Sequence, residues 1–488
     1  MWENRRSEVN RREFLAVAAG GAVAGALPFG ARAAAKDGAV PGTVRYSADV
    51  PVYGEYDVAV FGAGPGGLGA AISAARAGKR TILVEKYNSP GGVSSWASTP
   101  LFFRFADHDV HPKRQIVRGV ADEIVRLLDA QGDSGLFKDC GNDEIAPGRI
   151  GDRPLLSKVF APQEPLRLVY NDLLDRAGVE KLFMAHLAGV VREGRRVTAA
   201  IVDCLEGTRA IRAKAFVDAT GDAHLVHRAG GATVQAAPYE TMHKSVFFEV
   251  CGVKPHDVAA NRRRFEELRR QGRLPDMVWA GMGYTHFQEP DHYLIPIAYA
   301  VGDNCSSKDM TRMDAELRKK NAELLAFYRK NFSGYEDAYW VNSAWQACSR
   351  DGRHIVGRKT LTVDMLKKGA HPDDGVVPVV RKWGLLHSPR QKEGFAARID
   401  SGFLDGTSQI PYGALVPRDL DNVLVAGRSL AVEVAATAST RMMPTCFATG
   451  QVAGTAASLA VDRSLGDVGT VPHAELCKRL ESQGHVVS

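Results

Sequence analysis

The sequence predicts an α/β protein: a largely parallel sheet that continues into a β-meander and is interrupted by an inserted α+β unit. Three observations predict it. Near the start, YDVAVFGAGPGGLGAAISAARAGKRTILVEK alternates strand, turn, helix and strand. Further on, residues 189–191, 197–202 and 211–216 are short apolar runs separated by turn residues, the pattern of a meander. Near the end, NVLVAGRSLAVEVAATASTRMMPTCFATGQVAGTAASLAV supplies a last buried strand, a turn and a helix of small residues. Strands that alternate with helical stretches favour parallel pairing.

The elements follow in order. Residues 1–35 read as a twin-arginine signal: Arg11 and Arg12 precede a weakly apolar Ala/Gly run that is broken by Pro28 and ends in small residues. A membrane anchor would need about 20 strongly apolar residues. This export route carries folded proteins, so the leader predicts a tightly held cofactor, acquired before export, and a periplasmic or secreted destination.

The first strand, turn and helix carry Gly62, Gly64 and Gly67 in GxGxxG spacing, within the βαβ context that makes the motif specific for a dinucleotide. Gly62 permits the tight turn, Gly64 lets the backbone approach a pyrophosphate, and Gly67 lets the helix pack on the sheet. The helix N-terminus then faces the phosphates. Glu85 ends the second strand, placed to accept hydrogen bonds from a ribose 2′-hydroxyl, which disfavours a 2′-phosphate and hence NADP. Beyond it, KYNSPGGVSSWAS adds a second glycine pair, Gly91 and Gly92, where a simple NAD domain needs none. The meander returns to the main sheet and ends at Asp218-Ala219-Thr220-Gly221-Asp222, a third glycine-bearing turn able to touch the same nucleotide. The last strand, Val423 to Ala426, leads through Gly427-Arg428 to a helix from about Pro444, whose positive end could face an electron-rich ring edge.

Composition narrows the class. The chain has 488 residues, 45% hydrophobic and 24% charged, an ordinary globular balance. A net charge of +6 without a clustered basic stripe gives no sign of nucleic-acid binding. Beyond the leader no run of 18 apolar residues occurs, so no stable membrane span is expected in the mature protein. Seven scattered cysteines show no CxxC, no CxxCH and no zinc spacing, and read as thiols, with no metal site expected.

The stretches VAVFGAGPGGLGAAISAARAGKRTILVEK, GGVSS, FVDATGDAHLVHRAG, CSRDGRHIVGRKTLT and IPYGALVPRDLDNVLVAGRSLAVEVAATASTRMMPTCFATGQVAGTAA span most of residues 56–460. Together they resemble the FAD-dependent oxidoreductase family of glutathione-reductase-type Rossmann flavoproteins, distantly similar to the fumarate reductase and succinate dehydrogenase flavoproteins. The resemblance implies an FAD-binding domain over 54–233 and 411–470, with a substrate cap inserted at 234–410. It implies that Gly62, Gly64, Pro65, Gly66 and Gly67 hold the pyrophosphate, that Glu85 and Lys86 serve the adenosine ribose, and that Gly91, Gly92 and Val93 line the flavin side. Val190 would lie near adenine, and Ala219, Thr220, Gly221 and Asp222 near the cofactor. Gly427, Arg428, Pro444, Thr445 and Cys446 would sit by the ribityl chain and ring. No histidine lies between Gly92 and Ala106, so non-covalent FAD is expected. The charged stretches RRRFEELRRQG and DAELRKKNAELLAFYRKNF read as solvated helix faces.

FAD carries the redox chemistry, and the protein must position a carbon against flavin N5 and handle protons and charge. Arg441 and Arg350 are the foremost catalytic candidates, because an arginine can clamp a carboxylate bidentately. His387 and His354 are candidate proton carriers; Arg353, Arg428, His292 and Tyr293 are further polar groups near the family-like segments. An exported enzyme meets no maintained NAD(P)H pool, so the expected reaction is a dehydrogenase or oxidase reaction on a small hydroxylated or carboxylated metabolite. Oxygen, a quinone or a cytochrome would then be the electron acceptor. Two alternatives stay open: a periplasmic enoate reductase of the fumarate-reductase kind, and a flavin-holding lyase or binding protein without net redox turnover.

Overall fold

The expected strand, turn, helix, strand unit opens the computed structural model, which describes residues 44, 46–96, 101–103, 105–107, 114–131, 149–150, 153–154, 158–160, 163–238, 241–275, 285–286, 290–295, 298–384 and 401–487. The expected leader over 1–35 and His387 lie outside the described residues. Pro51–Ser488 forms one compact unit. In it, β1 (Val52–Phe61) is exposed at its start and buried on both faces over Val58–Phe61, as a central parallel strand must be. Helix α1 (Pro65–Arg76) starts with a proline in its first turn and is buried from Pro65 to Ala74, which its Ala/Gly content permits. Strand β2 (Thr81–Val84) pairs parallel to β1 with Val58 beside Thr81 and Phe61 beside Val84.

Strand β3 (Glu180–Leu182) pairs parallel to the outer edge of β2. The meander follows as β4 (His186–Glu193), β5 (Arg196–Cys204) and β6 (Gly207–Asp218), antiparallel to one another. Strand β6 then runs parallel to β1, with Phe61 beside Asp218. The order across the sheet is therefore β4-β5-β6-β1-β2-β3.

A second core is built from Trp96 and residues 246–348. Its small antiparallel sheet contains β7 (Phe248–Cys251), β8 (Tyr293–Leu294) and β9 (Tyr339–Ser343), with β7 in the middle. Helices α2 (Val258–Arg270) and α3 (Ser307–Asn331) bury Phe265, Leu268, Leu317, Leu324 and Tyr328 against it. Both are the expected charged helices. Each begins on a side-chain cap, Asp257 or Ser306, and each turns ion pairs such as Arg269–Glu266 and Lys320–Glu316 outward.

The chain then returns to the first core. The sequence reading groups residues 355–383 with the inserted unit, but Ile355, Leu361, Leu366 and Val376–Trp383 pack among the residues of the main sheet. Strand β10 (Gly375–Trp383) forms an antiparallel pair with β11 (Gly402–Pro411). Strand β12 (Val423–Val425) joins β6 in parallel beside its last residues. Finally α4 (Met443–Asp462), buried from Met443 to Ala460, lies against α1 so closely that a methyl group on Gly69, Gly450 or Gly454 would overlap a backbone carbonyl of the other helix. Among the described residues no helix is long and apolar enough to cross a membrane.

Candidate functional site

Where β1 ends, Gly62 takes φ 97°, a conformation that side chains disfavour, and an added Cβ would run into the Ala219 backbone. A Cβ on Gly67 would overlap the Gly62 carbonyl oxygen, so α1 seats against the loop only because residue 67 has no side chain. Gly64 stands at the N-cap of α1, in extended conformation and with no side-chain cap. The first-turn amides of α1 are thus left to an outside acceptor, and the helix dipole favours an anion there.

Glu85 is buried, 6% exposed, at the end of β2. Its Oε2 accepts a hydrogen bond from the Ala63 amide at 2.6 Å and its Oε1 one from the Tyr87 amide at 3.1 Å. The acid therefore braces the glycine loop across from it and keeps lone pairs for a ligand. Burial pushes its pKa up, and the two amides pull the other way. The second glycine pair backs onto the same loop: the Gly91 amide donates to the Ala63 carbonyl at 2.7 Å, and a Cβ on Gly92 would come within 2.8 Å of the Gly64 Cα.

A cavity of ≈ 1220 Å³ begins at this loop and is walled by both cores. Gly62, Gly64, Pro65, Gly66, Glu85, Lys86, Gly92 and Val93 line its first stretch. Gly67 and Gly91 stand behind that wall, in the supporting positions just described. Ala185, His186 and Leu187, at and before the start of β4, line the cavity. Val190 lies further along β4, paired with Ala200, and is not among the described lining residues.

The turn after β6 is held from below by Asp218, which is fully buried. Its Oδ1 accepts from the Thr220 amide and hydroxyl at 3.1 and 2.6 Å, and its Oδ2 from the Val226 amide at 3.0 Å. Ala219, Thr220, Gly221 and Asp222 are thereby presented to the cavity. Both Asp222 oxygens accept from Arg428 Nη2 at 2.8 Å, and Oδ1 also accepts from Asn304 Nδ2 at 2.6 Å. Arg428 Nε donates to the Gly221 carbonyl at 2.6 Å, and its Nη1 to the Ser349 carbonyl. One ion pair thus ties the turn after β6, the turn after β12 and two segments of the second core together.

At the far end, α4 starts at Met443 with extended backbone at Met442 and no side-chain cap. Met442, Met443 and Cys446 line the cavity, while Thr445 is buried behind them. Burial pushes the Cys446 thiol up to about 12, so it stays protonated. Gly427, at φ 86°, also lines the cavity, and its amide donates to Thr449 Oγ1 at 3.0 Å.

The two foremost candidates, Arg350 and Arg441, both line the cavity. Arg350 Nη1 donates to the His243 carbonyl at 2.9 Å and to Ser245 Oγ at 3.0 Å. Burial lowers its pKa. Arg441 is pulled down to about 10, by burial first and then by the charge of Arg350, and its Nε has no hydrogen-bond partner among the described residues. His354 is a different case. It is 2% exposed, its Nδ1 lies 3.0 Å from the Leu430 carbonyl, burial lowers its pKa, and it is absent from the described cavity wall. It is a neutral core histidine rather than a proton carrier at the site. His292 pairs with Glu249 at 3.1 Å within the small sheet of the second core.

Several lining residues escaped the sequence reading: Tyr87 and Trp96 (ring centroids 5.2 Å apart), Phe247, Asn304, Met310 and His224. Three of them had a local signal: Tyr87 and Trp96 flank the Gly91-Gly92 pair, and His224 stands two residues after the Gly221-Asp222 turn.

The profile of the family described as "FAD dependent oxidoreductase" matches residues 57–480. The chain belongs to this family. FAD is accordingly its cofactor, and the site fits one: the uncapped N-terminus of α1 and the glycine-rich loop suit the pyrophosphate, and Glu85 suits the ribose. Mitochondrial dihydrolipoyl dehydrogenase of Schizosaccharomyces pombe is 34% identical over 98 residues, 18% of this chain and 19% of that protein. The chain is similar in structure to a geranylgeranyl bacteriochlorophyll reductase-like protein from Thermoplasma acidophilum (TM-score 0.44, 12% identity, 88% of this chain and 84% of that one). It is also similar to BexE, studied for oxidation during BE-7585A biosynthesis (TM-score 0.46, 14% identity, 88% and 69%). No activity for this oxidoreductase follows from those structural likenesses.

Proposed function

We propose that this FAD-dependent oxidoreductase is a dehydrogenase or oxidase, exported after folding, that acts on a small hydroxylated or carboxylated metabolite and passes the electrons to oxygen, a quinone or a cytochrome. One observation carries the small-molecule reading: the cavity continues past the glycine loop to Trp96, Phe247 and Met310 of the second core and to Arg350 just after it. At ≈ 1220 Å³ it exceeds the roughly 300–1,000 Å³ of a typical single-ligand pocket, which leaves room for a substrate beside a dinucleotide. The twin arginines Arg11 and Arg12 support export, and a destination without an NAD(P)H pool supports the oxidative direction.

Bound FAD supplies hydride acceptance. The chain's residues do the rest. The α1 amides and Glu85 bind the nucleotide end, and the Asp222–Arg428 pair fixes the two turns that flank it. Trp96, Phe247 and Met310 exclude water from the far end. Arg350 and Arg441 offer fixed positive charge where a substrate would lie. The same cations favour a second reading, enoate reduction, since that reaction also needs an anionic substrate held still. Anaerobic mixing of the holoenzyme with candidate metabolites tests the proposal. Bleaching of the flavin by a hydroxylated or carboxylated compound is expected. Bleaching by none, together with reoxidation of dye-reduced enzyme by an enoate such as fumarate, would replace it with the second reading.

A further inference from the structure

Beside the cavity lies a charged pair that the proposed chemistry does not use. Lys244 and Asp351 are buried, with side chains 1% and 2% exposed, and Lys244 Nζ stands 3.8 Å from Asp351 Oδ1. That distance is too long for a hydrogen bond, and Oδ1 has no hydrogen-bond partner among the described residues. The ammonium instead donates to Thr241 Oγ1 at 2.6 Å and to the Met242 carbonyl at 3.2 Å, while Asp351 Oδ2 accepts from the Met242 amide at 2.7 Å. A buried ion pair without a direct hydrogen bond recovers little of its desolvation cost, and apolar side chains of similar volume often hold a core as well. What this pair offers is a fixed geometry.

Two neighbouring residues grip one short segment. Arg350 Nη1 donates to the His243 carbonyl at 2.9 Å and to Ser245 Oγ at 3.0 Å, and Asp351 reaches Met242 and Lys244 in between. The segment is also paired through its backbone, Ser245 with Cys348 and Lys244 with Ala300. Cys348, Ser349 and Arg350 line the cavity, whereas residues 241–245 are not among its described lining residues. Among the described residues Arg350 makes no hydrogen bond besides those two, so the direction of its guanidinium depends on where His243 and Ser245 stand. We infer that the Lys244–Asp351 pair positions Arg350: by locking Met242 and Lys244 to the residue that follows the arginine, it fixes the two acceptors that aim the guanidinium at the cavity. Lys244 and Asp351 are positioning residues, and Arg350 is the group they serve. This deepens the proposed function and rests on its assignment of Arg350 as fixed positive charge in the site. The Asp351 charge also acts on Arg350 directly, so placement and charge are separated by experiment.

The FAD-loaded enzyme is titrated with sulfite, a small anion that bleaches oxidised flavin and so reports positive charge in the cavity. Arg350→Met is expected to weaken sulfite by about tenfold or more, the scale of a hydrogen bond to a charged partner. The double variant Lys244→Met with Asp351→Asn removes one charge of each sign and leaves the net charge unchanged. It should weaken sulfite to a similar extent with FAD content retained, and adding Arg350→Met to it should change nothing further. Asp351→Glu keeps the charge but displaces the carboxylate by one methylene, and should lose part of the affinity. A double variant that binds sulfite as the unmodified enzyme does would overturn the inference, as would a triple variant in which the losses multiply, because Arg350 would then be held without the pair. Unchanged affinity in Asp351→Glu would overturn it even if the double variant failed to fold. Unchanged affinity in Arg350→Met would do the same, since the guanidinium would then meet no anion in the cavity. Sulfite binding needs no turnover, so an enzyme that no metabolite reduces would sink the redox proposal and leave this positioning role standing.

Discussion

Replacing Glu85 by glutamine separates two tasks that one side chain performs. In the structure its oxygens accept from the Ala63 and Tyr87 amides at 2.6 and 3.1 Å, inside a wall where the side chain is 6% exposed. Hydrogen bonds to a charged acceptor contribute about 1.5–3 kcal/mol each. Glutamine keeps one oxygen as a neutral acceptor and turns an NH2 toward the other amide, leaving buried donors without partners. Part of that loss is offset because the variant buries no charge, and a net destabilisation of about 2 kcal/mol is expected in the cofactor-free protein. Denaturant unfolding of the apoprotein measures it. FAD affinity should fall by at least the matching factor of about 30, since the ribose loses its best acceptor and the loop its brace. The pH dependence has a definite sign. Burial raises the folded pKa of Glu85 above its ordinary 4.5, so its share of stability is fully present below that value and is lost as pH rises through the folded pKa. Glu85→Gln cannot titrate, so the decline in stability that Glu85 contributes with rising pH should be absent from the variant. An apoprotein as stable as the native one within about 0.5 kcal/mol, but with weakened FAD binding, would refute the bracing role.

Three further outcomes follow from the geometry. Gly67→Ala puts a methyl on the Gly62 carbonyl oxygen, so the purified protein should come out without flavin; a yellow, fully loaded variant would contradict the packing. Asp222→Ala leaves Arg428 in a site where the two side chains are only 12% and 18% exposed, and should cost about 3–5 kcal/mol in thermal or denaturant unfolding of the holoenzyme. His354→Ala should lower stability by about 1–3 kcal/mol, because the Leu430 carbonyl loses its donor, yet leave the pH profile of turnover unmoved; a lost ionisation in that profile would return His354 to the chemistry.

The nucleotide half of the site was legible because its signals are local. Gly62 to Gly67, Glu85 and the turn after β6 each declare themselves within a few residues, and β-branched runs with turn spacing disclose the meander. The far half of the cavity is built by distance. Arg350 acquires meaning only once the His243 carbonyl and Ser245, 107 and 105 residues away, hold it at the wall. Asn304 reaches Asp222 across 82 residues. Nothing in the composition of residues 355–383 says that they rejoin the first core rather than the second, because apolar strands of either core look alike. Leu187 and Val190 stand three residues apart in one strand with a register shift between them, and which of them faces the cavity depends on where the strand begins. His354 looked chemical because it stands beside charged residues; its burial against Leu430 belongs to three dimensions alone.

The meeting of α1 with α4 has a consequence for biogenesis. Lys79, just after α1, pairs with Asp462 at the end of α4, 383 residues later, and the glycine contact between these helices underlies both ends of the cofactor trough. A nascent chain cannot complete that trough until α4 has emerged from the ribosome, so FAD loading waits for a segment 383 residues beyond α1. During that interval the Ala-rich first helix lacks its partner, and the unfinished protein depends on chaperones or on speed of closure to avoid aggregation.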